Sequence, residues 1–126
     1  MKKVIKSNKA AAPRGAYSQG WRAGNYIFVS GQVPRNPITG EVIQGPMKQL
    51  VIQTLKNIEA ILLAEGATLN DVVKFTVIVQ NKEDIPELNK GFNELLNEPF
   101  PARTTFQGGL SGVLVEIDTI AYIDPK

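Results

Sequence analysis

The chain has 126 residues, with 14 Lys or Arg and 12 Asp or Glu, which gives a formal net charge of +2. This length suits a single domain spanning residues 1–126. So weak a charge bias does not by itself indicate a nucleic-acid partner. The sequence contains no Cys and no His, which excludes disulfides, Ser-His-Asp and Cys-His catalytic centres, and the usual zinc ligands.

The N-terminal sequence MKKVIKSNKAAAPRG predicts no export signal. Only two apolar residues separate Lys3 from Lys6, whereas a signal peptide needs a continuous apolar core. No run in the chain approaches the ~18 apolar residues of a membrane span. We therefore expect a cytoplasmic protein with no membrane partner, and an organellar copy is the alternative.

The first predicted elements form a β-hairpin. Residues 18–23 and 26–31 have strand character, and Gly24-Asn25 between them suits a two-residue turn. The residues before the hairpin could add one short strand. The segment PRNPITGE that follows contains two prolines and a glycine, which predicts a loop.

Residues 46–66 carry the clearest helical pattern. Pro46 stands where a first-turn proline is tolerated, and Gly66 is a suitable C-terminal stop. Apolar residues recur between them at helical spacing: Met47, Leu50, Val51, Leu55, Ile58, Ile61 and Leu62. The next segment, DVVKFTVIV at 71–79, is rich in β-branched residues, which predicts a buried strand.

A second helix is predicted from Asp84 onward. Asp84 and Glu87, three residues later, match a capping box. Asn97, Pro99 and Pro101 end the helix, because proline cannot continue it. The apolar stripe of this helix consists of Ile85, Leu88, Phe92, Leu95 and Leu96.

Two more strands complete the chain, at 102–107 and 113–123, with the loop GGLSG between them. This loop lacks the Lys and the helix of a phosphate-binding loop. The order β-β-α-β-α-β-β predicts an α+β fold, in which two helices cover one face of a mixed sheet as a two-layer sandwich.

The last strand has no plainly solvated side. Alternate residues share a face, which gives one set of Val115, Ile117, Thr119, Ala121 and Ile123 and another of Leu114, Glu116, Asp118, Ile120 and Tyr122. Since two helices cover only one face of the sheet, we predict that the other face meets further subunits. The alternative is a monomer that exposes some apolar residues.

Arg103 is the only charged residue between Glu98 and Glu116. Removing a guanidinium from water costs several kcal/mol unless it is paired. One interpretation is a structural salt bridge to Glu116, on a strand that could pair with that of Arg103. The other is an open anion site, since a planar guanidinium matches a carboxylate with two parallel hydrogen bonds.

Other polar residues also have two interpretations. Glu116 and Asp118 lie on one face and could supply a base, or be exposed strand residues. Tyr17 and Ser30 stand at strand ends, where hydroxyl groups commonly bond to nearby backbone. Asn89 is a polar residue in the apolar second helix, either at its boundary or in a site.

Several stretches together resemble the RidA/YjgF family of reactive-intermediate imine deaminases, also known as L-PSP endoribonucleases. They occur in the family's order and cover nearly the whole chain; YSQ, SGQ.P...TGE and PAR are the most specific in combination. The stretches are APRGAYSQG (12–20), GNYIFVSGQVPRNPITGE (24–41), QTLKNIEAILLAEGA (53–67), DVVKFTVIV (71–79), LNKGF (88–92), PART (101–104) and VEIDTIA (115–121).

The resemblance implies a chorismate-mutase-like domain that assembles as a homotrimer around a central β-barrel, with ligand sites between neighbouring subunits. It implies a 2-iminobutanoate/2-iminopropanoate deaminase-like hydrolase. The substrate would be a 2-imino acid, in equilibrium with an enamine such as 2-aminoacrylate, and the products a 2-keto acid and ammonia. No cofactor and no metal are implied, because an imine carbon is already electrophilic.

By position in the family's motifs, the resemblance implies that Arg103 holds the substrate carboxylate and Glu116 positions or activates the attacking water. It further implies a substrate pocket lined by Tyr17, Ser30, the Gly31 backbone, Asn89 and Thr105. The sequence departs from the family's common pattern in GAYSQ for GPYSQ, in Thr104-Thr105 after PAR, and in GGLSG where an LP motif is usual.

Two other functions remain as alternatives. The first is a non-catalytic regulatory protein that binds small 2-keto acids through the same arginine. The second is an endoribonuclease or translation inhibitor, as some relatives are described. The sequence gives this last function little support, since it has neither a His pair nor a basic patch interleaved with aromatic residues.

Overall fold

The helices and strands form in the predicted order, with the additional short strand at the N-terminus. A computed structural model describes residues 1–125. Its elements are β1 (Lys2–Ile5), β2 (Gly20–Ala23), β3 (Tyr26–Gln32), α1 (Met47–Leu63), β4 (Val72–Val79), α2 (Ile85–Leu95), β5 (Ala102–Gln107) and β6 (Val115–Tyr122), with short 3-10 turns at Leu69–Asp71 and Lys82–Asp84.

All strands belong to one six-stranded sheet in the order β1-β2-β3-β6-β4-β5. β4 and β5 are parallel, and the other neighbouring pairs are antiparallel. Parallel neighbours need a crossover connection, and α2 provides it between β4 and β5. The helices pack against each other, and α1 packs on β3 and β6. The predicted α+β fold with a mixed sheet is confirmed.

The first helix ends as its sequence predicts. Gly66 has a φ of +76°, which residues with a side chain rarely adopt. This conformation lets the Ala67 amide donate a 3.0 Å hydrogen bond to the Leu62 carbonyl, which satisfies one of the free carbonyls at the helix end. The helix begins immediately after Pro46, whose backbone is extended.

The predicted capping box at Asp84 and Glu87 is wrong. A capping side chain requires an extended backbone at the N-cap, whereas Asp84 has helical geometry (φ −84°, ψ −5°) and makes no capping hydrogen bond. The reason is the 3-10 turn that runs directly into α2. A capping box forms instead before β4, where the Thr68 amide donates to Asp71 Oδ2 at 2.9 Å and Thr68 Oγ1 accepts from the Asn70 amide at 3.2 Å.

The two faces of the sheet differ in burial. The face toward the helices carries the core, and its largest fully buried side chains include Ile27, Phe75, Val77 and Ile117. We call the opposite face the outer face. It exposes large apolar side chains from several strands, including Trp21 and Phe28 on the paired strands β2 and β3 and Phe106 on the edge strand β5, each at least 40% exposed.

Within residues 1–125, no helix has the length and apolar composition needed to cross a lipid bilayer. In the same part of the chain, no three His, Cys, Asp or Glu side chains cluster closely enough to hold a metal ion.

Candidate functional site

Arg103 lies on the edge strand β5 and points toward the helix layer. Its register partner on β4 is Phe75, a buried core residue. The guanidinium carbon lies 4.9 Å from the ring centroid of Phe92 on α2. Phe92 in turn packs edge-to-face on Phe75, with 5.4 Å between ring centroids. An aromatic face attracts a cation, so Phe92, which packs on Phe75, holds the guanidinium in place.

A cavity of about 330 Å³ opens beside Arg103. Its walls are mostly apolar, and its polar side chains come from Arg103 and two asparagines of α2. Desolvation by partial burial lowers the pKa of Arg103 from its ordinary value, but an arginine stays charged at neutral pH. The lining residues include Phe75, Asn89, Phe92, Asn93, Phe100 and Arg103.

Glu116 lies on the outer face, where its register partner on β4 is Ile78. Gly31 on β3 packs directly against it. A Cβ atom at Gly31 would lie 2.6 Å from Glu116 Oε2, so the carboxylate occupies the space that a side chain would fill. Asp118 shares the outer face, as predicted, and is more exposed than Glu116.

The segment around Tyr17 is tied to β3 next to Gly31. The Ser30 hydroxyl donates to the Ser18 carbonyl, and the Ser30 amide donates to the Gln19 carbonyl at 2.9 Å. Local backbone bonding of the Ser30 hydroxyl was one of the two interpretations from sequence. Tyr17 is half exposed and lines a small cleft of about 30 Å³ together with Gly31.

Apart from Thr105, the predicted site residues form two separate groups, and the structure adds Phe92 to one of them. We call Arg103, Asn89 and Phe92 the Arg103 group, and Tyr17, Ser30, Gly31 and Glu116 the Glu116 group. The first lies on the helix side of β5, the second lies on the outer face, and β4 separates β5 from β6. A single chain does not bring the two groups together.

The salt bridge between Arg103 and Glu116 that the sequence left open is wrong. It assumed that their strands pair, whereas β5 pairs with β4 and β6 lies on the far side of β4. In the part of the chain that the structure describes, ion pairs form elsewhere, and none includes Arg103. In the single chain Arg103 thus stays largely exposed, beside a mostly apolar cavity and without a carboxylate partner from residues 1–125.

Thr105 lies two residues beyond Arg103 and pairs with Val77 on β4, so it faces the helix layer as well. It does not line the cavity beside Arg103. Its hydroxyl is buried and has no hydrogen-bond partner within residues 1–125, an arrangement that costs about 1–3 kcal/mol. Thr104 points to the outer face, where it accepts a 3.0 Å hydrogen bond from Lys74 Nζ.

Sequence analysis missed three contributors to these groups. Phe92 was assigned only to an apolar stripe, although it also lies under the guanidinium of Arg103. Phe100 lines the same cavity, and its position three residues before Arg103 was an available signal. Gln19 is buried, and its side-chain amide bonds to the Ser7 amide and to carbonyls of the N-terminal segment; its place in the YSQ motif was an available signal.

Comparison with known protein families shows to which family the chain belongs. Residues 7–123 match the model of the endoribonuclease L-PSP family. The chain belongs to this family. It is 43% identical to a RutC family protein of Pyrococcus horikoshii over 124 residues, which covers 97% of this chain and 98% of that protein.

Two further members of the L-PSP family are similar over nearly their whole length. A 2-iminobutanoate/2-iminopropanoate deaminase of Dermatophagoides farinae is 35% identical over 127 residues, with 98% of each chain covered. The crystal structure of RidA from the Antarctic bacterium Psychrobacter sp. superimposes with a TM-score of 0.92 at 41% identity, and the match covers 96% of this chain and 99% of that one.

Proposed function

We propose that this protein is a cofactor-free hydrolase that converts 2-imino acids, in equilibrium with their enamines, into 2-keto acids and ammonia. The observation that carries the proposal is Arg103, a cation in a largely apolar cavity with no carboxylate partner from residues 1–125. The 35% identical deaminase of Dermatophagoides farinae supports this chemistry.

Arg103 binds the substrate carboxylate in this mechanism. Its guanidinium can donate two parallel hydrogen bonds to the two carboxylate oxygens, and this attraction strengthens when a neighbouring chain closes the cavity and excludes water. Phe92 holds the guanidinium from one side. Asn89, on the same wall, supplies an amide that can donate to or accept from the substrate.

Glu116 positions the attacking water and accepts its proton. The water oxygen bonds to the imine carbon while the imine nitrogen gains a proton, and the product is a tetrahedral amino alcohol. Glu116 then carries the hydroxyl proton to the amine, the C–N bond breaks as the ketone forms, and ammonia leaves. One water is consumed for each 2-keto acid and ammonia released. Because the imine carbon is electrophilic, positioning and a base suffice.

A complete site requires a second copy of the chain, since the Arg103 group and the Glu116 group lie on opposite sides of the sheet. We infer a homotrimer, in which the outer faces turn inward and the Arg103 group of one chain meets the Glu116 group of its neighbour. Tyr17 and Ser30 then line the cleft. The exposed aromatic residues of the outer face support this assembly, because large exposed apolar patches mark interaction surfaces.

The test is a coupled assay in which a serine or threonine dehydratase releases the imine and 2-keto acid formation is followed. We expect the protein to accelerate hydrolysis above the spontaneous rate. Arg103→Ala should lower kcat/KM by about 100-fold or more, since each charge-assisted hydrogen bond contributes about 1.5–3 kcal/mol. Arg22→Ala, at an arginine paired with Glu65 outside both groups, is the matched control and should retain activity.

Two results would contradict the proposal. An Arg103→Ala protein that hydrolyses imine at the wild-type rate rules out the role of the guanidinium. A wild-type protein that binds 2-ketobutyrate tightly in calorimetry but does not accelerate imine hydrolysis is a regulatory binder instead.

A further inference from the structure

Two arginines outside the Arg103 group converge on a single backbone atom. Arg14 Nη2 and Arg35 Nη1 donate hydrogen bonds of 2.9 Å and 2.8 Å to the carbonyl oxygen of Gly40. Both donors contact one atom, so the two guanidinium groups are close to each other. Arg14 precedes the Tyr17 segment, and Arg35 belongs to the loop after β3.

The two guanidinium groups form no ion pair in the described part of the chain. No Asp or Glu oxygen within residues 1–125 forms an ion pair with Arg14 or Arg35, whereas Arg22 pairs with Glu65 at 3.4 Å. Each guanidinium has five N–H donors, and one from each group is used on Gly40. Neighbouring like charges repel. An anion bound between the two guanidinium groups would reduce this repulsion and accept hydrogen bonds from their remaining N–H groups.

The arginine pair also adjoins the Glu116 group. Arg35 lines the same small cleft as Tyr17 and Gly31, and Gly31 contacts the Glu116 carboxylate. The backbone amide of Arg14 donates to the Tyr17 hydroxyl at 3.3 Å. An anionic group bound by the pair would therefore lie next to the place where the proposed function puts the imine.

We propose that Arg14 and Arg35 bind a second carboxylate on the substrate, so that the protein prefers 2-imino dicarboxylic acids to 2-imino monocarboxylic acids. This inference rests on the proposed function for its reacting group. Arg103 of the neighbouring chain holds the carboxylate beside the imine carbon, and the arginine pair holds the carboxylate at the far end. Arg35 contributes more to the affinity for the second carboxylate because it lines the cleft, and Arg14, which is exposed, contributes less.

The experiment compares two product analogues with five carbons each, 2-ketoglutarate and 2-ketovalerate, by calorimetry. We expect wild type to bind the diacid about tenfold or more tightly than the monoacid, because one charge-assisted bond accounts for at least that ratio. Arg35→Met should abolish this preference and leave the affinity for 2-ketovalerate within about twofold, and Arg14→Met should reduce it. Arg22→Met, which removes the same charge elsewhere, should keep it.

Two results would overturn the inference. Equal affinity of wild type for both ligands would do so. The inference would also be overturned if Arg35→Met lowered the affinity for both ligands equally and lowered the melting temperature. The arginines would then serve only to hold the loop around Gly40.

Turnover of the imines of glutamate and norvaline, generated by amino-acid oxidases, separates this inference from the proposed function. A protein that prefers the diacid in binding but hydrolyses neither imine contradicts the deaminase function and supports the arginine pair. A protein that hydrolyses both imines with equal kcat/KM and shows no preference in binding supports the deaminase function and contradicts the arginine pair.

Discussion

At the residue scale, the position of Glu116 depends on the missing side chain at Gly31. The carboxylate occupies the volume next to the Gly31 backbone, where a side chain would otherwise lie. Gly31 is not among the glycines with positive φ, so its backbone conformation is open to other residues. The need for glycine here comes from the close approach of the carboxylate alone.

Gly31→Ala should therefore impair catalysis more than folding. A methyl group 2.6 Å from Glu116 Oε2 forces the carboxylate or the strand to move, and a displacement of about 1 Å in a reacting group can cost on the order of 100-fold in rate. We expect kcat/KM for imine hydrolysis to fall about ten- to 100-fold, and the free energy of unfolding to fall by about 1–3 kcal/mol from overpacking.

Gly109→Ala is the matched control for this prediction. A Cβ at Gly109 meets no atom within 4 Å, and Gly109 has no positive φ. Steady-state kinetics and urea unfolding should both give wild-type values for it. If Gly31→Ala retained wild-type kcat/KM, Glu116 would not need the position that the structure gives it.

Sequence alone singles out Arg103 and Glu116 but does not show their surroundings. The isolation of Arg103 among uncharged residues is visible in the chain, and it led to the choice between a salt bridge and an anion site. Phe92 under the guanidinium, by contrast, comes from α2, and a helical apolar stripe does not reveal which of its members contacts a cation. Contacts between distant elements depend on how strands and helices pack.

At the element scale, local patterns predicted the elements and the β2–β3 hairpin, but not the pairing of the last two strands. Alternation and helical spacing act over a few residues, so the bounds of α1 and β4 are close to those predicted. The order of strands is a long-range property. β6 inserts between β3 and β4 instead of pairing with its chain neighbour β5, and this insertion makes the Arg103–Glu116 salt bridge impossible.

The capping residues give a direct test at this scale. Thr68→Ala removes the side-chain oxygen that accepts from the Asn70 amide and should lower the free energy of unfolding by about 1 kcal/mol. Asp84→Ala removes no capping hydrogen bond and should cost only the ~0.3–0.5 kcal/mol of a charge near a helix N-terminus. Urea unfolding at one fixed protein concentration measures both values, since assembly makes stability concentration-dependent.

If Asp84→Ala lowered the free energy of unfolding more than Thr68→Ala does, this assignment of the caps would be wrong. The sequence pattern of a capping box was present at Asp84 and Glu87, and also at Thr68 and Asp71. Only the backbone conformation before each element decides which of them forms, because the N-cap must be extended.

At the scale of the whole molecule, each proposed site is built from two chains. The Arg103 group and the Glu116 group lie on opposite sides of one sheet, so neither group alone can hold a substrate carboxylate and activate water. The same assembly would cover the outer face, where Trp21, Phe28 and Phe106 are exposed in the single chain. In a closed ring of identical chains, every subunit supplies both halves.

Subunit complementation tests whether neighbouring chains share each site. Arg103→Ala and Glu116→Gln chains, each nearly inactive alone, would be unfolded together in equal amounts and refolded into mixed oligomers, with the assembly of both variants verified by different affinity tags. A site between neighbours works whenever an intact Arg103 meets an intact Glu116, which random mixing in a ring allows at about a quarter of the sites. We predict recovery of about a quarter of wild-type imine hydrolysis. If the mixed oligomers had no more activity than the two variants separately, or if the protein remained monomeric, the site would not be shared between two chains.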